Sequence, residues 1–260
     1  MMIRWDPPAK AGGYIGLHHM FTSKTLSFLR SLKRNNKREW FHERRDQYET
    51  HCRGPMIAVI QRLAEDLPSF APDLVADPKV SLFRQFRDTR FSGDKTPLKT
   101  HIGATFPDRA LGRLNGAGLY FEVAPAWVWI GGGLWAPDTS QLHLVREHVA
   151  ANHRRLDGIV KSTAFKKIGG LQGDRMTRVP RGFAKDHPAA AYLMHRQFLG
   201  FREDPAAVAA SPAFYRQLLG TLKTIAPLVT FLNEPLIEAR RPERRAHLLF
   251  ENAGDARLSL

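Results

Sequence analysis

One cysteine, Cys52, in a chain of 260 residues gives no basis for a disulfide framework or a thiolate metal cage. Long apolar runs are missing too, so no segment is expected to cross a bilayer. The first residues do not read as a signal peptide, because Pro7, Pro8, Gly12 and Gly13 break them up. There is no Gly-x-Ser-x-Gly elbow, no phosphate loop, no dinucleotide fingerprint and no zinc-ligand spacing. Gly131-Gly132-Gly133 is not a phosphate loop, since no Lys-Ser/Thr follows it. No metal and no cofactor is therefore expected. A reducing cytoplasm without membrane contact is the expected setting.

Acidic residues are scarce. Asp and Glu number 25 against 39 Lys and Arg, a net charge of +14. Such a balance favours nucleic acid, anionic surfaces or acidic small molecules as partners. Cations scattered along the chain, as here, also describe an Arg-rich surface with no ligand. The 43% hydrophobic and 25% charged content is that of an ordinary globular protein.

Periodicity divides the chain into three parts. Thr22 or Ser23 caps a first helix bearing Leu26, Phe28, Leu29 and Leu32. A second helix from Lys37 carries Trp40, Phe41, Tyr48 and Cys52, and Pro55 kinks it or opens another. The middle reads as sheet. Lys79 to Phe86 is predicted as a strand with Val80, Leu82, Arg84 and Phe86 on one face. Lys99 to Phe106 is a further strand, and 118–123 with 127–131 form an antiparallel hairpin. Asp138 caps one long helix through Ile159, and Asp186 caps a short one. Asp204-Pro205 and Ser211-Pro212 read as two helix starts, and Gln197 to Arg202 as a strand. Helices before and after a central, mainly antiparallel sheet make an α+β fold. One domain is expected over residues 21–235, with a loose extension at 1–20 and a basic tail at 236–260.

Two basic stretches carry the chemistry. Residues 84–99 hold Arg84, Arg87, Arg90, Lys95 and Lys99 against Asp88 and Asp94, in a loop made by Gly93 and Pro97. Arginine forks and lysine charges gathered by a turn bind phosphate or carboxylate. The same set can be an ion-pair knot with no ligand. Asp88 is the acid/base candidate there. In the second stretch, Arg181 and Lys185 precede Asp186 and His187, where a helix start and cations coincide. His187 is a candidate acid or base, since imidazole titrates near neutrality. Trp40, Trp127, Trp129 and Trp135 can stack bases, though Trp127 and Trp129 on one strand face are more often core.

Several of these residues form an ordered set: Asn35, Asn36, Trp40, Phe41, Ser81 to Arg84, Arg87 to Ser92, Asp94 to Pro97, Lys99, Gly131 to Trp135, Pro180 to Phe183, and Lys185 to Pro188. This set resembles the bacterial and fungal family catalogued as domain of unknown function 2461. The resemblance spans roughly Phe21 to Pro235 and implies no activity. Members usually carry Tyr where this chain has Leu98.

Three readings follow. The leading one is a single cleft, lined by Arg84, Arg87, Arg90, Lys95, Lys99, Arg181 and Lys185, for a phosphate-bearing small molecule or nucleic-acid end. The second is nucleic-acid binding through a broad basic face. The third is a protein-interaction module in which the same residues are ion-pair scaffolding.

Overall fold

Thr22 opens the first helix, α1 (Ser23–Arg34): its hydroxyl accepts the Lys24 N–H and the Thr25 hydroxyl accepts its own. The computed structural model describes residues 20–90 and 92–241. The expected extension, apart from Met20, and the tail beyond Arg241 lie outside them, as does Phe91. Helices α2 (Arg38–Glu43) and α3 (Arg45–Tyr48) lead into a π-helical turn, Glu49–Arg53. Pro55 then opens α4 (Gly54–Asp66), where its missing N–H costs nothing.

The strand predicted at Lys79 to Phe86 is not one. Asp77 accepts the Lys79 N–H at 2.7 Å, and Pro78 supplies a helical first position, so α5 (Pro78–Ser81) forms. A cap-plus-proline start thus overrides the alternation. The chain then runs extended and touches two neighbours, through the bridges Leu82↔Ala104 and Phe86↔Leu98. Arg84 does not point into a packed layer, because its side chain is 71% exposed.

The sheet is an antiparallel meander of β1 (Ile102–Pro107), β2 (Gly118–Val123), β3 (Trp127–Leu134) and β4 (Phe198–Pro205), in that spatial order. The α+β class and the hairpin are as predicted. Asp204-Pro205 closes β4 rather than starting an α-helix, and a short 3-10 turn, Ala206–Ala210, follows. The long helix after Asp138 is two: α6 (Thr139–Ala151) breaks at Asn152, whose side chain takes the His148 carbonyl, and α7 (His153–Val160) resumes. Two short helices follow, α8 (Thr163–Lys167) and α9 (Ala190–Leu193). The last, α10 (Phe214–Glu238), continues through Pro235, the limit expected for the domain.

Period-two alternation sorts the strands. Leu119, Phe121, Val123, Val128 and Ile130 are fully buried on one face. There α10 lies close, and a Cβ on Gly132 would meet Ile225 Cγ2 at 3.1 Å. Tyr120, Glu122, Trp127 and Trp129 take the intervening positions on the other face and stay partly exposed. No helix of the described residues is long and apolar enough to cross a membrane.

Candidate functional site

The loop at 84–99 is stitched to itself. Arg87 pairs with Asp94 and donates to the Thr96 hydroxyl at 2.8 Å. Arg90 grips Asp88 with two nitrogens, at 3.0 and 2.8 Å. Lys95 Nζ donates to the Thr89 carbonyl at 3.0 Å, and Asp94 also accepts the Thr96 N–H. Hydrogen bonds from Arg90 hold the Asp88 carboxyl down at about 2. Asp94 is held equally low, first by the Thr96 N–H and then by Arg87. Asp88 thus faces Arg90 as its counter-ion.

Lys99 leaves this network. Its ammonium stands over the Phe83 ring at 4.4 Å, and the Arg113 guanidinium stands over the same ring at 4.0 Å. Among the described residues neither forms an ion pair. Burial, together with the charges of Arg113 and Arg84, pulls the Lys99 ammonium below its ordinary range, with Glu122 opposing.

Phe83 also lines a shallow cleft of about 360 Å³. Phe41, Arg45 and Tyr48 of α2 and α3, with Glu49 and Arg53 of the π-helical turn, form one wall, and residues 78–86 form the other. Four cations reach it, Arg45, Arg53, Lys79 and Arg84, against one carboxylate, Glu49. Glu49 is already shared between Arg53 at 3.2 Å and Arg45 at 3.9 Å. Nearest to Arg84 is Asp88, at 3.9 Å and itself clasped by Arg90. Extra-residue π turns recur at functional sites; this one was not visible as such in the sequence.

On the sheet beside the cleft, Glu122 accepts the Tyr120 hydroxyl at 2.5 Å and the Trp127 indole N–H at 3.1 Å, with His101 Nε2 at 3.4 Å. Burial draws His101 toward its neutral form against the pull of Glu122. Sequence reasoning missed this carboxylate. The signal was available: Tyr120 and Glu122 are two apart in a strand and so share a face.

The segments that lead into the two basic stretches join different parts of the sheet. Residue 82 bridges the outer side of β1 and residue 172 the outer side of β4, so their segments join opposite edges of the sheet. Five inter-strand spacings, about 24 Å, separate those two bridges. Arg181 and Lys185 are exposed. Asp186 does not cap α9: the helix has no side-chain cap, and the Ala189 N–H donates instead to His187 Nδ1 at 3.0 Å. His187 also meets the His153 ring edge-on, at 5.9 Å. Among the described residues no hydrogen bond, ion pair or ring contact joins this stretch to the loop at 84–99.

Leu98 is a core residue, 1% exposed. The Asn36 side chain clamps its backbone, accepting its N–H at 3.0 Å and donating to its carbonyl at 2.9 Å. Among the described residues no three His, Cys, Asp or Glu are grouped to hold a metal ion.

No curated protein and no solved structure matches the chain. Residues 24–231 match the family described as conserved hypothetical protein (DUF2461). That stretch contains α1 from its second residue, α2 to α9, all four strands, the cleft and both basic stretches. By that match, the protein whose residues build this cleft belongs to the DUF2461 family.

Proposed function

We propose that the protein binds a phosphate-bearing ligand whose anionic group enters the cleft beside Phe83. The observation that carries this reading is the imbalance of its lining, four cations against one carboxylate that is already shared. Lys79 and Arg84 are the cations left to meet an anion, with Lys99 and Arg113 just beyond the ring. Arg87, Arg90 and Lys95 serve instead as scaffold. Their internal bonds to Asp94, Asp88 and the Thr89 carbonyl favour that second role for this part of the motif. Arg181 and Lys185 belong to a separate surface. A reducing cytoplasm suits a chain whose one thiol, Cys52, is buried.

The test is thermal unfolding in the presence of inorganic pyrophosphate, AMP and chloride of matched ionic strength. A ligand at a hundred times its Kd adds about 2.7 kcal/mol of apparent stability. Pyrophosphate is expected to raise the melting temperature of the parent and to lose that effect in Lys79→Ala/Arg84→Ala. An equal response in parent and variant, or none in either, overturns the reading.

A further inference from the structure

A row of touching aromatic rings crosses the partly exposed face of the sheet. Phe83 meets Tyr120 at 5.8 Å, Tyr120 meets Trp129 at 5.5 Å, and Trp129 stacks on Phe201 at 4.7 Å. The row starts outside β1 and passes over β2 and β3 to β4. Glycines make it possible. At Gly103 in β1 a Cβ would meet the Tyr120 hydroxyl at 2.7 Å, and at Gly131 it would meet Trp129 Cη2 at 2.5 Å and Phe201 Cβ at 2.6 Å. All four rings are partly exposed.

Charge along the row is polarised. Lys99 and Arg113 sit on its Phe83 end, with Arg84 and the cleft beyond. Glu122, in the middle, is 15% exposed and bonded by Tyr120 and Trp127, with His101 beside it. Glu203, paired in register with Trp129, is exposed at the β4 end. An anionic backbone is therefore drawn to the β1 edge, with flat uncharged groups lying inward over the rings.

We infer that this face is a platform for single-stranded nucleic acid, its bases stacked on the aromatic row and its phosphates running along the β1 edge into the cleft. The inference rests on the anion reading above and names the ligand's class. Stacking on aromatic side chains tolerates any base and needs unpaired strands, while flanking cations hold the backbone. A duplex keeps its bases paired and offers the rings nothing.

The experiment is fluorescence anisotropy with labelled (dT)12, (rU)12 and a duplex of equal length, from 50 to 200 mM salt. The variants are Trp129→Ala, Trp129→Leu and Lys79→Ala/Arg84→Ala, each first checked for cooperative melting. Single strands are expected to bind more tightly than duplex. Both Trp129 variants should weaken single-strand binding by about 5- to 150-fold, the worth of one stacked base. Trp129→Leu keeps apolar bulk without a π face, so it separates stacking from folding. The double variant should make the slope of log K against log salt shallower by about 1.4, since two phosphates are no longer neutralised by the protein. Equal affinity for duplex, or parent-like binding by Trp129→Leu, overturns the platform. If pyrophosphate then still raises the melting temperature through Lys79 and Arg84, the anion cleft stands without it. Stacking lost in Trp129→Leu, with an unchanged salt slope in the double variant, supports the platform and overturns the cleft as the seat of the phosphates.

Discussion

The two faces of the sheet come from the same strands and have opposite chemistry. Toward α10, Phe121 is fully buried, nearly parallel to Phe106 at 6.2 Å and tilted against Phe214. One residue away on the same strand, Glu122 holds a carboxylate among hydroxyl, indole and imidazole groups. The first face stabilises by removing apolar area from water. The second keeps its polar atoms by bonding them. Alternation at period two thus lets one six-residue strand support a core on one face and a polar, aromatic layer on the other.

The sharpest way to break this comparison is truncation on each face. Phe121→Ala should cost about 3–5 kcal/mol in urea unfolding, as a fully buried ring leaving a cavity. Trp129→Ala, on the partly exposed face, should cost about 1–2 kcal/mol. Equal losses would show the outer row to be a second core. A matched pair of asparagines sharpens the contrast. Asn233 on α10 clamps the Ala117 backbone as Asn36 clamps Leu98, but Asn233 is 1% exposed. Asn233→Ala leaves both Ala117 groups buried and unpaired, at about 2–5 kcal/mol, whereas Asn36→Ala, nearer solvent, should cost about 1 kcal/mol. Gly131→Ala comes next: the added methyl should push Trp129 off Phe201 at about 1–3 kcal/mol and change the near-ultraviolet dichroism. An unchanged spectrum would mean that the ring has room to spare.

The smallest effect falls on the exposed loop. Arg90→Ala should leave the melting temperature almost unchanged, because the Asp88 pair is open to water. Its signature is a titration. Asp88 is held down at about 2, so its pair with Arg90 is intact above the ordinary carboxyl range and is lost as pH falls through about 2. Without Arg90, carboxyl resonances should place Asp88 back toward 3.8, the value of a free side chain. A carboxyl still near 2 in the variant would assign its depression to other neighbours.

Local chemistry was readable in the sequence, and convergence was not. The caps at Thr22 and Asp138 are fixed by bonds within four residues, and each forms a capping box. The hairpin followed from strand-type runs on either side of Pro125. At Lys79 to Phe86 two local signals competed, and the Asp77-Pro78 cap won because it satisfies backbone groups that alternation leaves open. Whether the loops at 84–99 and 181–187 share a cleft depends on which sheet edge each joins. No spacing encodes that. Arg113 stayed hidden for the same reason, since its partner Phe83 comes from another segment, whereas Glu122 and its partners Tyr120 and Trp127 lie within one hairpin and were overlooked.

The position of α10 also sets the order in which this chain can become a protein. β1 to β3 are made early and pair with near neighbours, yet their buried face is covered by a helix that begins only at Phe214. Until that helix emerges during synthesis, Phe121, Val128 and Ile130 lack the cover it supplies, and apolar sheets without their covering helix associate with one another. Nascent chains released before Phe214 should therefore precipitate or be held by chaperones, while chains released after Glu238 should stay in solution.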